Sequence, residues 1–169
     1  GIYIAYPSTA SDAKGLLKSA CRMDDPVLFM EHKGLYRQGY CSTPEPDENF
    51  LLPFGKARIV QEGNKLTIIT WGAMVQKAIE AVKEFNSSTD AVEIIDLRTL
   101  NPLDKDSIGA SLEKTGKALI VYEDNITNGP GAEIAAIISQ EYFEMLDGPI
   151  KRVAAKDVPV PFNWYLEEK

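Results

Sequence analysis

The side chains best placed to do chemistry in this chain stand at the ends of two short apolar runs. Asp96 and Arg98 end the run in VEIIDLRTLNPLD, and Glu123 and Asp124 end the run in LIVYEDNITNGPGAEIAA. Proteins with parallel sheets bind ligands at the carboxyl ends of their strands, and an acid next to an arginine could form an ion pair there. A pair that only fixes the loop before Pro102 is at least as good an interpretation. Because Asp96 ends an apolar run, we expect it to be partly buried, with Arg98 or nearby backbone amides as its partner.

The glycine-rich stretch from Asn128 to Gly131 follows the second run and precedes a helical pattern. Backbone amides at such a helix start can bind an anion. The dinucleotide-binding fingerprint, however, requires a third glycine where Ile134 stands, and Glu133 in the first turn would repel a phosphate. The stretch is therefore predicted to make a tight turn and to let the helix approach the sheet closely.

His32 is the only histidine, so a metal site or a mechanism that needs several histidines is excluded. It ends a predicted strand beside Glu31, Lys33 and Arg37, which could shift its pKa. A single histidine in this position is more often a hydrogen-bonding group of the fold than a general base. We therefore predict a structural role for it.

Composition bounds the kind of protein and its partners. The hydrophobic share is 44% and the net charge is -7, with a pI near 4.8. This charge argues against a nucleic acid or an anionic membrane as a partner, and no apolar run approaches the ~20 residues of a membrane span. Cys21 and Cys41 fit neither a disulfide framework nor a metal signature, so a cytoplasmic location is expected. The chain begins with Gly1 and shows no signal peptide, so the natural N-terminus is expected to lie upstream.

Residues 1–40 are predicted to form a strand, a helix and a second strand at 27–30. Thr9 is expected to cap the helix, with Asp12 completing a capping box. One such unit cannot close a sheet alone, so it is expected to be the remnant of a larger α/β domain. The apolar face of the helix is predicted to contain Ala10, Ala13, Leu16, Leu17, Ala20 and Cys21.

Residues 41–53 are predicted to be a linker, because they combine prolines and acids with little periodicity. Residues 54–169 have the pattern of a three-layer α/β/α domain with a mostly parallel sheet. The aromatic pair Trp164–Tyr165 near the end is interpreted as packing rather than as an exposed patch. The predicted strands are 57–60, 65–70, 92–97, 117–122 and 150–153, with 92–97 in a central position.

Helices are predicted between these strands. Gly72, Asp104 and Gly131 are expected at strand-to-helix junctions, and Gly116 is expected to end a helix. The apolar faces are predicted to contain Met74, Val75, Ala78, Ile79, Val82 and Phe85, then Ile108 and Leu112, then Ile134, Ile137, Ile138, 141–143 and Leu146.

The order of the motifs resembles one family over nearly the whole chain. The motifs are PSTASDAKGLLKSA, PVLFMEHKGLYR, LLPFGKARIVQEG, TIITWGAMV, VEIIDLRTLNPLD, GAEIAA and DGPIKRVAAKDVPVPF. They resemble the C-terminal part of the β subunit, or β region, of thiamine-diphosphate-dependent 2-oxo acid dehydrogenases, the decarboxylating components of the pyruvate and branched-chain complexes. The resemblance implies that residues 1–40 end the pyrimidine-binding domain and that residues 54–169 form a transketolase C-terminal-type domain.

The resemblance also implies where the cofactors are held. Thiamine diphosphate and magnesium belong to the full enzyme and are not expected to bind this segment, because the family's cofactor-contacting glutamate and catalytic histidine lie upstream. His32 is not that histidine, and no catalytic or cofactor-binding residue is expected here. The family's structural potassium site, built from backbone carbonyls, matches Ala20, Cys21, Met23 and Asp25. Met23 stands where the family often has Asp.

The implied activity is oxidative decarboxylation of a 2-oxo acid with acyl transfer to a lipoyl group. The stretch EHKGLYR at 31–37 resembles branched-chain members, such as those that act on 2-oxoisovalerate; a pyruvate or acetoin dehydrogenase is the alternative. A transketolase-type parent would need basic phosphate-binding residues, and the loop 123–131 contains neither Lys nor Arg.

The implied partners are an α subunit or α region, a second β subunit and the lipoyl acyltransferase component. The segment itself is expected to supply subunit assembly and cleft architecture, and in isolation to be an inactive binding and assembly module. Unpaired strand edges in residues 1–33 are expected to promote self-association, or to leave the N-terminal unit loosely held.

Overall fold

The computed structural model describes residues 1–84 and 91–167. The contact predicted for Phe85 lies outside these residues, as does the packing predicted for the side chain of Trp164. The strands are β1 (Tyr3–Ala5), β2 (Val27–Phe29), β3 (Arg58–Gln61), β4 (Leu66–Thr70), β5 (Val92–Asp96), β6 (Thr99–Asn101), β7 (Ala118–Asn125) and β8 (Lys151–Ala155). The α-helices are α1 (Ala10–Ala20), α2 (Met74–Glu84), α3 (Lys105–Thr115), α4 (Pro130–Glu141) and α5 (Trp164–Glu167). Single 3₁₀ turns cover Lys33–Leu35, Gly39–Cys41 and Phe143–Met145.

A five-stranded sheet with the order β3-β5-β4-β7-β8 is the centre of the larger part of the chain. β4 pairs in parallel with β5 and β7, and β7 pairs in parallel with β8, while β3 runs antiparallel at one edge. The mostly parallel sheet is thus confirmed. β5 has a neighbour on each side, β3 and β4, so the interior position predicted for 92–97 is confirmed, although β4 is the middle strand of the five.

Helices cover both faces of this sheet, which confirms the three-layer α/β/α fold. α2 packs on one face, where Ala78 and Val82 contact Ile68 and Ile94. Alternate side chains along a strand point to opposite faces, so a strand buried on both sides is apolar throughout. The cluster on the other face joins α3 and α4 to the strands and includes Ile69, Ile95, Ile108, Leu112, Ile120, Ile134 and Ile138.

Turn chemistry at the ends of the helices follows the sequence closely. Gly72 and Gly116 adopt φ values of +55° and +67°, a region that favours glycine. Asp104 caps α3 by accepting the N–H of Ser107 at 3.2 Å. Gly131 does not lie at the junction, because Pro130 already begins α4. A Cβ at Gly131 would come within 2.1 Å of the Tyr122 ring, so the predicted close approach of helix and sheet is confirmed.

The C-terminal part departs from the predicted apolar pattern. α4 ends at Glu141, and Phe143 in the following 3₁₀ turn is 70% exposed, so the burial predicted for Phe143 is wrong, whereas Tyr142 and Leu146 pack against the core as predicted. Tyr165 is 64% exposed, so its predicted packing is wrong as well.

Residues 1–40, called the N-terminal unit below, form the predicted strand-helix-strand unit. β1 and β2 pair in parallel, with α1 between them in the chain. The free edge expected on β1 is occupied, because β6 from the larger part of the chain pairs with β1 in antiparallel fashion. The resulting sheet has the order β2-β1-β6. The N-terminal unit is therefore joined to the rest of the chain by strand pairing rather than loosely held.

The helix α1 is capped as predicted but buries a narrower face. Thr9 accepts the N–H of Asp12 at 3.3 Å. The carboxylate of Asp12 does not close a capping box, because it is bound by arginine side chains described below. Leu16 is buried, but Leu17 is 46% exposed, since consecutive residues lie about 100° apart around a helix. The linker runs along this helix, where Lys14 binds Glu45 at 2.9 Å.

Candidate functional site at the seam

The N-terminal unit meets the α/β domain, residues 54–167, along a surface called the seam below. The Tyr6 N–H donates to the Arg98 carbonyl at 2.8 Å, so the residues that follow β1 and β5 lie side by side. Glu123, near the end of β7, also reaches this surface. The carboxyl ends of strands from both sheets therefore converge at the seam, where α/β proteins place their sites.

Asp96, the last residue of β5, is fully buried at the seam. Its carboxylate accepts hydrogen bonds from the Ser8 hydroxyl at 2.5 Å, the Arg58 guanidinium at 3.1 Å and the backbone N–H of Arg98 at 3.1 Å. The predicted backbone partner is thus confirmed. The predicted ion pair between the Asp96 and Arg98 side chains is wrong, because the Arg98 guanidinium binds another carboxylate.

That carboxylate belongs to Asp12 of α1, which is 1% exposed. Its Oδ1 lies 2.7 Å from Nη2 of Arg98, and its Oδ2 lies 3.5 Å from Nη2 of Arg58. Arg58 therefore contacts the carboxylates of both Asp12 and Asp96. We call these four residues, Asp12, Arg58, Asp96 and Arg98, the seam cluster.

Electrostatics within the seam cluster depend first on burial. Burial raises the pKa of Asp96, and the nearby negative charge of Asp12 acts in the same direction. The hydrogen bond from Ser8 and the positive charge of Arg58 oppose this rise without cancelling it. Because the acids and arginines bind one another, the cluster is suited to holding two units together.

His32 makes a second contact across the seam. Its Nε2 lies 3.0 Å from Oε1 of Glu123, while the Tyr6 hydroxyl donates to Oε2 of the same carboxylate at 3.4 Å. Burial, together with the charge of Glu123, raises the pKa of Tyr6. His32 and Glu123, two residues singled out from the sequence, thus contact each other. This contact supports the hydrogen-bonding role predicted for His32.

A cavity of about 420 Å³ opens beside the seam at the carboxyl ends of β1 and β2. Its volume falls within the range of small-molecule sites, about 300–1,000 Å³. The Tyr36 hydroxyl donates to Glu31 at 2.8 Å on one wall. Polar and apolar groups from the loop after β1, the end of β2 and the linker line it, among them Pro7, Ser8, Thr9, His32, Tyr36 and Cys41.

The glycine-rich loop binds a carboxylate of the chain itself. Asp157 accepts the backbone N–H of Thr127 at 3.2 Å and its hydroxyl at 2.7 Å. The hydroxyl of Thr127 is the main reason that the pKa of Asp157 is lowered. The amide of Thr127, directly before the glycine-rich stretch, is therefore used within the chain itself.

The predicted potassium positions lie in and after the turn that ends α1. The carbonyl of Ala20 already accepts the N–H of Met23 at 3.1 Å, and Arg22 donates to the Lys18 carbonyl at 2.7 Å. A guanidinium already supplies positive charge at this end of the helix, where main-chain carbonyls would have to face the ion. The carbonyl oxygens present here therefore fit a potassium ion only in part.

Neither a metal-binding cluster nor a membrane-spanning helix is found among the residues that the structure describes. Within residues 1–84 and 91–167, no group of three His, Cys, Asp or Glu side chains is arranged to hold a metal ion. Over the same residues, every helix is too short or too polar to cross a bilayer.

Comparison with known proteins places the chain in a family. The family model of the transketolase C-terminal domain matches residues 55–169. The chain belongs to the transketolase C-terminal domain family. A solved structure titled "Split gene transketolase, inactive beta4 tetramer" superposes with a TM-score of 0.75 at 26% identity, covering 99% of this chain and 51% of that one.

Curated relatives extend the similarity to the N-terminal unit. The chain is 45% identical over 163 residues to a pyruvate dehydrogenase E1 component subunit beta of Staphylococcus aureus. It is 43% identical to the protein of the same name from Staphylococcus epidermidis. Each alignment covers 96% of this chain and 50% of the relative, so the chain spans about half the length of these proteins. The resemblance to β subunits of 2-oxo acid dehydrogenases is confirmed.

Sequence reasoning found one half of the seam cluster and missed the other. It singled out Asp96 and Arg98 because they end an apolar run, but Asp12 was taken as a capping residue and Arg58 was not singled out. A signal was present for Asp12, which stands four residues before the buried Leu16 and so shares its face of the helix. Nothing comparable marks Arg58, because its partners are far away in the chain.

Proposed function

We propose that this chain is the C-terminal half of a β subunit, or β region, of a thiamine-diphosphate-dependent 2-oxo acid dehydrogenase. The parent enzyme decarboxylates a 2-oxo acid and passes the acyl group to a lipoyl group. The observation that carries this proposal is the 45% identity to a pyruvate dehydrogenase β subunit across both the N-terminal unit and the α/β domain. In this proposal residues 1–40 end the pyrimidine-binding domain, residues 41–53 are a linker, and residues 54–169 are the transketolase C-terminal-type domain.

In the parent, this segment contributes architecture rather than catalytic groups. Thiamine diphosphate, held with magnesium by the full enzyme, supplies the electron sink for decarboxylation. The seam fixes the loop after β1 and the end of β2, which form the walls of the adjacent cavity. Potassium at Ala20, Cys21, Met23 and Asp25 remains an expectation from family resemblance.

The 2-oxo acid is proposed to be pyruvate, because the two relatives compared with the chain carry that name. The stretch at 31–37, which resembles branched-chain members, makes 2-oxoisovalerate the competing substrate. Three residues of this stretch, Glu31, His32 and Tyr36, line the cavity, so the chain itself contains positions that could affect the choice. Acetoin is a further alternative for the same chemistry.

The proposed partners are an α subunit or α region, a second β subunit and a lipoyl acyltransferase, all in the cytoplasm. A second copy is favoured by apolar side chains that the C-terminal segment exposes to solvent. Phe162 is fully exposed and Val160 is 80% exposed, in a segment that also exposes Val158 and Leu166. The similar transketolase chain is described as a tetramer of β chains.

A second candidate function is a non-catalytic assembly module. It is favoured by the seam cluster, whose acids and arginines are engaged with each other. For this chain studied alone, the two candidates make the same prediction: titration with thiamine diphosphate and magnesium gives no binding in the micromolar range, which would correspond to roughly -8 kcal/mol. Micromolar binding by the chain alone would contradict both.

Reassembly separates the candidates. The chain is co-expressed with the coding sequence that precedes it and with an α subunit, and reduction of ferricyanide is followed with pyruvate or 2-oxoisovalerate. We expect turnover that requires thiamine diphosphate and is faster with pyruvate. An assembled complex that binds the cofactor, uses neither acid and instead transfers two-carbon units between sugar phosphates would make the parent a transketolase. Assembly without turnover of either kind would favour the assembly module.

A further inference from the structure

Arg98 adopts a backbone conformation that residues other than glycine rarely adopt, with φ of +59°. Such conformations persist where the surroundings impose them. Here the N–H of Arg98 donates to Asp96 at 3.1 Å, its carbonyl accepts the N–H of Tyr6 at 2.8 Å, and its guanidinium lies 2.7 Å from Asp12. Two of these three contacts cross the seam, so the unusual turn at Arg98 serves the contact with the N-terminal unit.

Asp12 is the matching group on the other side of the seam. It is 1% exposed, and a buried carboxylate is costly unless charged or hydrogen-bonding groups surround it. Arg98 and Arg58, both from the α/β domain, are its ion-pair partners. Asp12 also lies in the first turn of α1, directly after the Pro7–Thr9 loop that lines the cavity. A shift of Asp12 would therefore move that wall of the cavity.

Apolar contacts at the seam place weaker limits on orientation. The rings of Tyr3 and Phe54 meet edge to face with centroids 5.8 Å apart, and the ring of Tyr6 lies over Gly72. Apolar burial is non-directional, so such surfaces can slide without losing all of their contact. Charge-assisted hydrogen bonds are short and directional, and they are lost when the partners move apart.

We propose that Asp12 and Arg98 form a latch between the two units, which together with the pairing of β1 and β6 sets the orientation of the N-terminal unit on the α/β domain and with it the shape of the adjacent cavity. The latch concerns the chain alone and does not depend on the activity of the parent. It makes Asp12 and Arg98 positioning residues, acting through the loop after β1 and the turn after β5.

Amide hydrogen exchange measured residue by residue on the intact chain tests the latch. The Tyr6 amide reports on the seam, since it donates to the Arg98 carbonyl, and the Thr67 amide reports on the sheet, since it donates to the Lys117 carbonyl at 2.8 Å. In Asp12→Asn, which keeps the size of the side chain, we expect Tyr6 to exchange roughly tenfold faster or more while Thr67 changes much less. Asp24→Asn, an exposed change in the same unit, is the matched control and should leave both amides unchanged.

The second arm combines variants. Arg98→Gln should accelerate exchange at Tyr6 as Asp12→Asn does, and the double variant should add little to either single change, because both break the same pair. Exchange at Tyr6 that is unchanged in Asp12→Asn, or that rises by the same factor as at Thr67, would overturn the latch. Full additivity in the double variant would do so as well. If a variant does not fold, Asp12→Glu and Arg98→Lys are judged by the same criterion.

The link to the cavity has its own measurement. Cys41 lines the cavity and is 8% exposed, whereas Cys21 is exposed. In a Cys21→Ser background, the rate at which a disulfide reagent modifies Cys41 should rise at least severalfold on adding Asp12→Asn. An unchanged rate, with faster exchange at Tyr6, would show that the latch does not set the shape of the cavity.

Discussion

The core of the α/β domain and the seam both bury side chains, but they are chemically opposite. In the core, Ile69, Ile95 and Ile120 are fully buried among other apolar side chains. At the seam, Asp96 is fully buried and Asp12 is 1% exposed. Apolar packing tolerates small shifts and draws its stabilisation from the area removed from water. Buried charges draw theirs from specific partners, so the seam can define an orientation that the core cannot.

This difference predicts different responses to mutation. Removing a side chain from the core leaves a cavity, whose cost depends on how far the neighbours can relax. Removing one acid from the seam leaves the partly buried arginines with one partner fewer.

The largest effect is expected for Asp12→Ala. The change leaves Arg98 and Arg58 with one carboxylate fewer at the seam, and breaking a buried pair typically costs about 3–5 kcal/mol. Chemical denaturation should show this loss in the free energy of unfolding. Asp24→Ala, which replaces an exposed acid of the same unit, should stay within about 0.5 kcal/mol of the native chain. A similar small effect for Asp12→Ala would show that solvent screens the seam.

A substitution in the core is the counterpart to the seam variant. Ile95→Ala removes a fully buried side chain and should cost about 2–5 kcal/mol. Unlike the seam variant, it should accelerate amide exchange throughout the five-stranded sheet. Ile59→Ala, at a position that is 39% exposed on the edge strand β3, is the matched control and should cost clearly less. If Ile95→Ala accelerated exchange only at Tyr6, the core and the seam could not be treated as separate regions.

The two regions also differ in how far the sequence predicts them. The sheet and its covering helices follow from local patterns, such as the apolar run at 92–96 and the signals at Asp104 and Gly116. The sequence also marked Asp96 as a buried acid. It could not supply the partners, because Ser8 and Arg58 lie 88 and 38 residues from Asp96 in the chain. Contacts between distant segments leave no periodic signal, so the seam could be identified only in three dimensions.

A smaller loss of folding stability, with a defined pH dependence, is expected when the helix cap Asp104 is replaced. Burial alone would raise the pKa of this carboxyl, but hydrogen bonds from the Ala57 N–H and from Ser107 outweigh burial and lower it. The stabilisation is therefore present above the ordinary value of 3.8 and is lost as the pH falls through the lowered pKa. Asp104→Ala should cost about 0.5–2 kcal/mol near neutral pH. The difference from the native chain should shrink in acid, and a constant difference down to low pH would contradict the assignment.

The smallest effect, and the sharpest test of the seam, is expected for Asp96→Asn. Asparagine keeps the size of the side chain and an oxygen that can accept from Ser8 and Arg58, while its amide nitrogen cannot accept the Arg98 N–H that Asp96 accepts. Because the pKa of Asp96 is raised in the folded chain, chiefly by burial, its contribution to stability is present below 3.8 and is lost as the pH rises through the folded value. The variant lacks this titration, so it should gain stability relative to the native chain as the pH rises toward neutrality. Denaturant midpoints of both proteins, measured at a series of pH values, provide the test. If the stability of the variant relative to the native chain instead fell steadily with rising pH, the ion pair of Asp96 with Arg58 would outweigh burial. The seam would then be held by ionised partners on both sides.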